Sequence, residues 1–171
     1  KTSLGRNIMA VKIPSYNGHL TKNFGYQEMI KSSTADRLGI SNDASREHVI
    51  NLTNLCNFIL QPVREEFGVI RINSGYRSPA LNKAVGGSKT SQHCNGQAAD
   101  FESTRISNPD LAKWIEKNLI FDQLILEFYD GVDPNSGWVH CSYVLDGSNR
   151  SKTMTALRVN GKTQYKTGLL S

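Results

Sequence analysis

A carboxylate inside an otherwise apolar strand is the feature that most constrains how this chain folds. Asp100 follows Ala98 and Ala99 and precedes Phe101, in a segment that predicts a strand over residues 98–102. Burying an ionised carboxylate without a partner is costly, so Asp100 needs one in the folded protein. A metal ion would satisfy it.

Two histidines supply the other donors of a candidate metal site. His93 lies seven residues before Asp100, and His140 lies forty residues after it. Catalytic zinc usually takes three protein ligands and leaves a fourth position for water, whereas structural zinc takes four. Two imidazoles and one carboxylate therefore indicate a zinc hydrolase. Three ligand-type residues also arise by chance, so an ordinary polar cluster stays open on this evidence.

The remaining histidines and the cysteines favour ordinary structural roles. His19 falls in a predicted loop, and His48 falls in the first turn of a predicted helix. The three cysteines have no CxxC spacing, which argues against a disulfide framework and suits a reducing site of synthesis. Cys94 and Cys141 adjoin the candidate ligands, but we interpret both as incidental.

Length and charge bound the class of protein. The 171 residues fit one domain, which we place at residues 20–171 after an irregular segment at 1–19. No apolar run reaches the roughly 18 residues that a membrane span needs, and residues 1–16 lack a signal-peptide core. The net charge of +5 favours an anionic surface. Its dispersed basic residues and the lack of a nucleic-acid motif argue against nucleic acid as partner.

Hydrophobic periodicity predicts an α+β fold, with helices packed on a mainly antiparallel sheet. Ser45 is a candidate N-cap for a long helix, which Pro62 should kink or divide. Predicted helices cover residues 26–31, 34–38, 45–67, 79–85 and 109–118. Predicted strands cover 69–73, 98–102, 121–129 and 138–144, and a last hairpin covers 153–158 and 163–165 with its turn at Asn160-Gly161.

The motifs around the candidate ligands resemble a known family. The sequence contains Ser91-x-His93-x-x-Gly96-x-Ala98-x-Asp100, preceded by Ser74-Gly75-Tyr76-Arg77-Ser78 and followed by Trp138-x-His140. This order of motifs resembles the zinc peptidases of the D-Ala-D-Ala carboxypeptidase family, above all its small phage and prophage branch. The resemblance covers roughly residues 20–143 and implies a fold related to that of hedgehog signalling domains.

The resemblance implies a role for each matching residue. His93, Asp100 and His140 would hold Zn²⁺, with the open coordination position left to the attacking water. Arg77 would bind a substrate carboxylate with its planar guanidinium, the alternative being a surface salt bridge. Ser91 would either hydrogen-bond substrate or shape its loop.

The general base of the family cannot be assigned to this chain by matching positions alone. Many relatives place a glutamate three residues before the distal histidine, where this chain has Gly137. We predict that Glu127 takes the role because its side chain would share the sheet face of His140 if their two strands pair. Gln123 shares the face of Glu127, where it would orient Glu127, contact substrate or be an ordinary polar residue.

The resemblance implies a zinc metallopeptidase that hydrolyses peptide bonds in the stem peptides of bacterial peptidoglycan. The activity would be that of a D-Ala-D-Ala carboxypeptidase or of an endolysin-type endopeptidase. The alternative is a catalytically weak binding or structural module of the same fold, since hedgehog domains retain zinc without an established peptidase role. We expect a monomer, unless the chain is part of a phage particle. We also expect synthesis in the bacterial cytoplasm without a signal peptide, and action at the cell wall after holin release or as a virion component.

Overall fold

Helices pack against one six-stranded sheet, in the α+β arrangement that the sequence predicts. The protein is described by a computed structural model over residues 18–170, so most of the predicted irregular segment at 1–19 lies outside the described residues. The helices are α1 (Tyr26–Ile30), α2 (Ser33–Leu38), α3 (Arg46–Leu55), α4 (Gln61–Phe67), α5 (Pro79–Ala84) and α6 (Asn108–Asn118). The strands are β1 (Ile70–Ser74), β2 (Ala98–Ser103), β3 (Gln123–Glu127), β4 (Trp138–Ser142), β5 (Lys152–Val159) and β6 (Lys162–Thr167). None of the described helices has the length and apolar character needed to cross a bilayer.

The sheet is mainly antiparallel, which confirms the prediction. Within residues 18–170 its strand order is β1-β2-β4-β3-β5-β6, and β3 with β5 is its one parallel pair. Alternate side chains of the central strands, such as Phe101 and Val139, are fully buried in the core that the helices cover. Because side chains alternate along a strand, Asp100 and His140 face the other side of the sheet.

The predicted long helix consists of α3 and α4 joined by a wider turn. Ser45 caps α3 as predicted, because its hydroxyl accepts a hydrogen bond from the backbone N–H three residues on. A π-helical turn, Cys56–Leu60, connects the two helices, and the Gln61 N–H donates to the Cys56 carbonyl. Pro62 has no N–H and its ring crowds the preceding turn, so the wider turn directly before it lets the chain continue as a helix.

The strand ends depend on backbone conformations that the hydrophobic pattern does not reveal. The strand predicted over residues 121–129 is shorter in the structure, because Phe128 has a φ of 57° and leaves strand geometry directly after Glu127. The predicted hairpin turn is confirmed at Asn160 and Gly161, whose φ values are 50° and 74°. Two successive positive φ values are what a type I′ turn requires.

One buried carboxylate joins the C-terminal hairpin to the rest of the structure. Asp122 is 2% exposed, and its Oδ2 atom lies 2.8 Å from an Arg150 guanidinium nitrogen and 2.9 Å from the Gln92 amide nitrogen. The hydrogen bonds from Arg150 hold the pKa of Asp122 below its usual range, against the opposing effect of burial. Since Arg150 precedes β5 and Gln92 precedes β2, Asp122 connects three separate segments.

Asp122→Asn should therefore lower the free energy of unfolding by about 2 kcal/mol at neutral pH, because it weakens charge-assisted hydrogen bonds. The pKa is lower in the folded state than the unfolded reference of 3.8, so the contribution of the carboxylate is complete above that pH and is lost as the pH falls below it. In urea unfolding, the difference in the free energy of unfolding between wild type and variant should be smaller at pH 3 than at pH 7. Asp36→Asn, on an exposed helix surface, is the control. If Asp122→Asn lowers the free energy of unfolding by the same amount at both pH values, this account is contradicted.

Candidate metal centre and active-site cleft

The three predicted metal ligands lie together on one face of the sheet. Asp100 on β2 is directly opposite His140 on β4, and a short 3₁₀ helix, Gln92–Asn95, carries His93. The Asp100 Oδ1 atom lies 2.9 Å from His140 Nδ1 and 3.3 Å from His93 Nε2. One ligand atom from each residue lies within 4.8 Å of the others, a spacing that suits a single metal ion.

The hydrogen bonding of His93 tests whether this group suits a metal. Its Nδ1 atom lies 2.7 Å from the Gly75 carbonyl oxygen, which can only accept, so Nδ1 carries the proton. In the neutral ring, Nε2 is then an acceptor that faces the Asp100 carboxylate, another acceptor. The two repel each other unless a proton or cation lies between them. Zinc-binding histidines typically hold their second ring N–H on a carbonyl or carboxylate in this way, so the donor set fits Zn²⁺.

Burial strengthens the case for a cation. His93, Asp100 and His140 are 3%, 6% and 8% exposed. Burial by itself raises the pKa of Asp100, but the charges and hydrogen bonds of the two histidines outweigh it and hold that pKa well below its usual range. An ionised carboxylate at this depth needs positive charge beside it, which protonated histidines or a bound metal cation can supply.

The loop that carries His93 is shaped by its own polar and glycine residues. The Ser91 hydroxyl accepts a hydrogen bond from the His93 N–H at 3.3 Å and so caps the 3₁₀ helix. Gly96 ends this helix with a φ of 71°, in the left-handed region that favours glycine. Of the two roles considered for Ser91, this contact supports the loop-shaping one, although Ser91 also lines the cleft.

Arg77 lies beside the metal group, which consists of His93, Asp100 and His140. One of the residues that hold Arg77, Asn82, was not singled out by the sequence analysis. Its guanidinium lies 3.0 Å from the Ser74 hydroxyl, 3.3 Å from the Asn82 amide oxygen and 3.3 Å from Asp100 Oδ2. A Cβ at Gly87 would overlap the Asn82 amide. In the sequence, the Gly86-Gly87 pair after α5 is the feature that could have indicated this close approach.

Glu127 lies next to the metal group, in the arrangement expected if β3 and β4 pair. These strands are antiparallel neighbours, with Glu127 opposite Trp138. The Glu127 Oε1 atom lies 3.7 Å from His140 Nδ1. The pKa of Glu127 is raised to about 7, chiefly by burial and further by the negative charge of Asp100, while His140 and Arg77 act in the opposite direction.

Gly137 has no room for a side chain, at the position where the family resemblance leads us to expect a glutamate. Its φ is 69°, and a Cβ there would overlap the carbonyl oxygen of Glu127. The backbone at the start of β4 therefore packs directly against the end of β3. The carboxylate beside His140 comes from β3, at Glu127, and not from position 137.

The metal group opens into a cleft of about 890 Å³. Gln123 lines it, but lies four residues from Glu127 on the same strand, about 13 Å away. That separation is too long for Gln123 to orient Glu127, which leaves substrate contact or an ordinary polar role. Trp138 lies half-buried on the cleft wall, with its ring 5.3 Å from that of Phe128.

The other histidines and the cysteines lie outside this group of ligands. His48 packs against the Tyr76 ring at 5.2 Å, and His19 is exposed. All three cysteines are free. Burial raises the pKa of Cys94, with Arg77 acting in the opposite direction, and it also raises the pKa of Cys141. Neither thiol is therefore activated as a thiolate ligand or nucleophile.

Fold and site together bring three residues that could hold one metal ion to the edge of an open cleft. Residues 22–142 match the Peptidase M15 family, the zinc-dependent D-Ala-D-Ala carboxypeptidase family. The chain belongs to this family, which confirms the resemblance seen in its motifs. None of the curated proteins matches it in sequence. The matched residues end with β4, so β5 and β6 lie beyond them.

Zinc-replete protein should contain about one zinc ion per chain by elemental analysis after desalting. His140→Ala should weaken zinc binding by about 100-fold or more, since it removes a ligand as well as its hydrogen bond to Asp100. His19→Ala is the matched control and should keep full zinc content, because His19 lies outside the cleft. Full, tight zinc binding by a folded His140→Ala protein would contradict the assignment.

Gly137→Ala should destabilise the protein by about 3 kcal/mol, through its strained φ and the overlap with Glu127. Gly131 provides a control in the same loop, because its φ is 82° but a Cβ there meets nothing within 4 Å. Gly131→Ala should cost only about 1 kcal/mol. Thermal and urea unfolding of the two variants measure the difference, and equal losses would show that close packing at Gly137 is unimportant.

Proposed function

We propose that this protein is a zinc metallopeptidase that hydrolyses peptide bonds in the stem peptides of bacterial peptidoglycan. The observation that carries the proposal is the Glu127 carboxylate, 3.7 Å from a ring nitrogen of His140 and within a cleft large enough for a peptide. Membership of a zinc peptidase family supports the reaction class. The net charge of +5 suits an anionic cell wall as the place of action.

His93, Asp100 and His140 would hold the zinc ion. When bound, it would supply Lewis acidity and lower the pKa of water toward neutrality. Asp100 contributes the negative charge of the ligand set, and the Gly75 carbonyl fixes the ring of His93 so that Nε2 faces the site. Both features orient the ligands before any substrate arrives.

Glu127 would move the proton during hydrolysis. Its carboxylate lines the cleft beside His140, where it could take a proton from the attacking water and pass it to the leaving amine. The fixed guanidinium of Arg77 would bind a substrate carboxylate, since its planar fork matches a carboxylate with two parallel hydrogen bonds. Gln123 and Ser91 would contact the peptide from the cleft wall.

A second candidate function is a catalytically weak module of the same fold that binds the wall or forms part of a phage particle. The observation in its favour is Gly137, where many relatives place a glutamate. Glu127 weighs against it, because a carboxylate occupies the neighbourhood of His140 despite that difference.

Mass spectrometry of fragments released from purified peptidoglycan, with and without a chelator, tests the proposal. Chelator-sensitive release of free D-alanine would support a carboxypeptidase, whereas split stems or cross-links would support an endopeptidase. No release by zinc-loaded protein would overturn the peptidase proposal and favour the binding module.

Glu127→Gln should lower kcat/KM by about 100- to 10,000-fold, because it removes the proton-transfer group, while zinc content stays unchanged. Glu102→Gln is the matched control: Glu102 shares the sheet face of Asp100, but it binds Arg71, Asn73 and Asn108 and does not line the cleft. Full activity in folded Glu127→Gln protein would remove Glu127 from the mechanism.

A further inference from the structure

The C-terminal hairpin, β5 and β6, forms one wall of the cleft although it lies beyond the residues that match the family. β5 runs parallel to β3, with Lys152 beside Gln123 and Ala156 beside Glu127. Because neighbouring residues in a sheet point to the same face, Lys152, Ala156 and Arg158 share the face of Glu127. The hairpin therefore adds its own side chains to the surface that a substrate meets.

Arg158 is the most informative of these side chains. Its guanidinium carbon lies 4.9 Å from the centre of the Phe128 ring, and the Phe128 ring meets Trp138 edge-on at 5.3 Å. The left-handed backbone of Phe128, with a φ of 57°, ends β3 where this ring packs. A cation–π contact and an aromatic pair thus hold Arg158 at the Glu127 end of the cleft.

The guanidinium of Arg158 has no acceptor for its N–H groups within the described part of the chain. The two other arginines of the cleft differ from it: Arg77 binds Asp100, and Arg150 binds Asp122. A guanidinium presents five donors in a planar fork that matches a carboxylate. Arg158 is exposed on the cleft wall, and its contact with an aromatic ring together with its unused donors suits it to bind an anion.

We propose that Arg158 binds a second, internal carboxylate of the peptide substrate, in addition to the carboxylate that Arg77 binds. This inference rests on the proposed peptidase function and narrows its substrate class to peptides with an internal acidic group. The free carboxylate of γ-linked D-glutamate has the required chemistry.

The spacing of the strands agrees with one peptide reaching both arginines. Arg77 contacts Asp100 on β2, and Arg158 lies on β5, with β4 and β3 between these strands. Three interstrand steps of about 4.8 Å give about 14 Å across the sheet, and the register places Arg158 four residues, about 13 Å, along β5 from Met154, which is level with Asp100. The backbone positions of Asp100 and Arg158 are therefore about 19 Å apart. Four extended peptide residues cover about 14 Å of this distance, and the long arginine side chain covers the remainder. The metal group and Glu127 lie between the two arginines, so a peptide bound at both passes over the site of hydrolysis.

The test compares two peptides that end in D-Ala-D-Ala and differ at one group. L-Ala-γ-D-Glu-L-Lys-D-Ala-D-Ala carries the internal carboxylate, and its D-isoglutamine counterpart carries an amide there. Wild-type protein should prefer the carboxylate peptide in kcat/KM by about tenfold, the scale of one charge-assisted contact. Arg158→Gln should bring this ratio close to one, and Arg158→Lys should restore part of it.

Lys152→Gln is the matched control, because it removes the same charge from the same face of β5 near the other end of the strand. It should leave the peptide preference intact. An unchanged preference in Arg158→Gln would overturn the inference, because it means that Arg158 does not recognise the internal carboxylate. An equal loss of preference in Lys152→Gln would also overturn it, because it means that general electrostatic attraction sets the preference.

Failure of the proposed function can be told apart from failure of this inference. If wild-type protein cleaves neither peptide, the peptidase proposal fails for these substrates, and calorimetric binding of the same peptides still decides the role of Arg158. Arg158→Gln must then weaken binding of the carboxylate peptide alone. If Arg158→Gln weakens the binding of both peptides equally, or of neither peptide, the inference about Arg158 is overturned.

Discussion

The negative charge of Asp100 is the constraint on which the rest of the site depends. It lies in a buried strand, between β1 and β4, and contacts His93, His140 and Arg77 at once. Each of those residues comes from a different segment, and each is aimed at the same carboxylate. An ionised group at this depth is stable only when surrounding groups supply positive charge or hydrogen-bond donors, and the fold converges on it from three directions.

Features that depend on local chemistry could be predicted from the sequence. The cap at Ser45 and the turn at Asn160-Gly161 follow from the backbone preferences of a few neighbouring residues. The juxtaposition of Glu127 and His140 followed from alternation along each strand once β3 and β4 were taken to pair, as they do in the structure. The ligand group itself was predictable because its motif is concentrated in one loop and two strands.

Features that depend on distant packing could not be predicted. The parallel pairing of β5 with β3 joins strands that are not consecutive in the sequence, and no periodicity within either strand reveals its neighbour. The contact of Asn82 with Arg77 depends on how α5 lies against the turn after β1. Phe128 and the π-helical turn before Pro62 depart from regular geometry, and a hydrophobic pattern carries no information on such departures.

The attachment of the hairpin has a consequence for how this chain can diversify. Backbone pairing along β3 and the bonds of Asp122 hold β5 in place, and neither depends on which side chains β5 turns toward the cleft. Position 158 and its neighbours can therefore be exchanged without disturbing the ligands of the metal group. Under the proposed function, chemistry and selectivity would reside in separable pieces, and grafting a different hairpin onto the same scaffold would be a direct route to an altered choice of peptide.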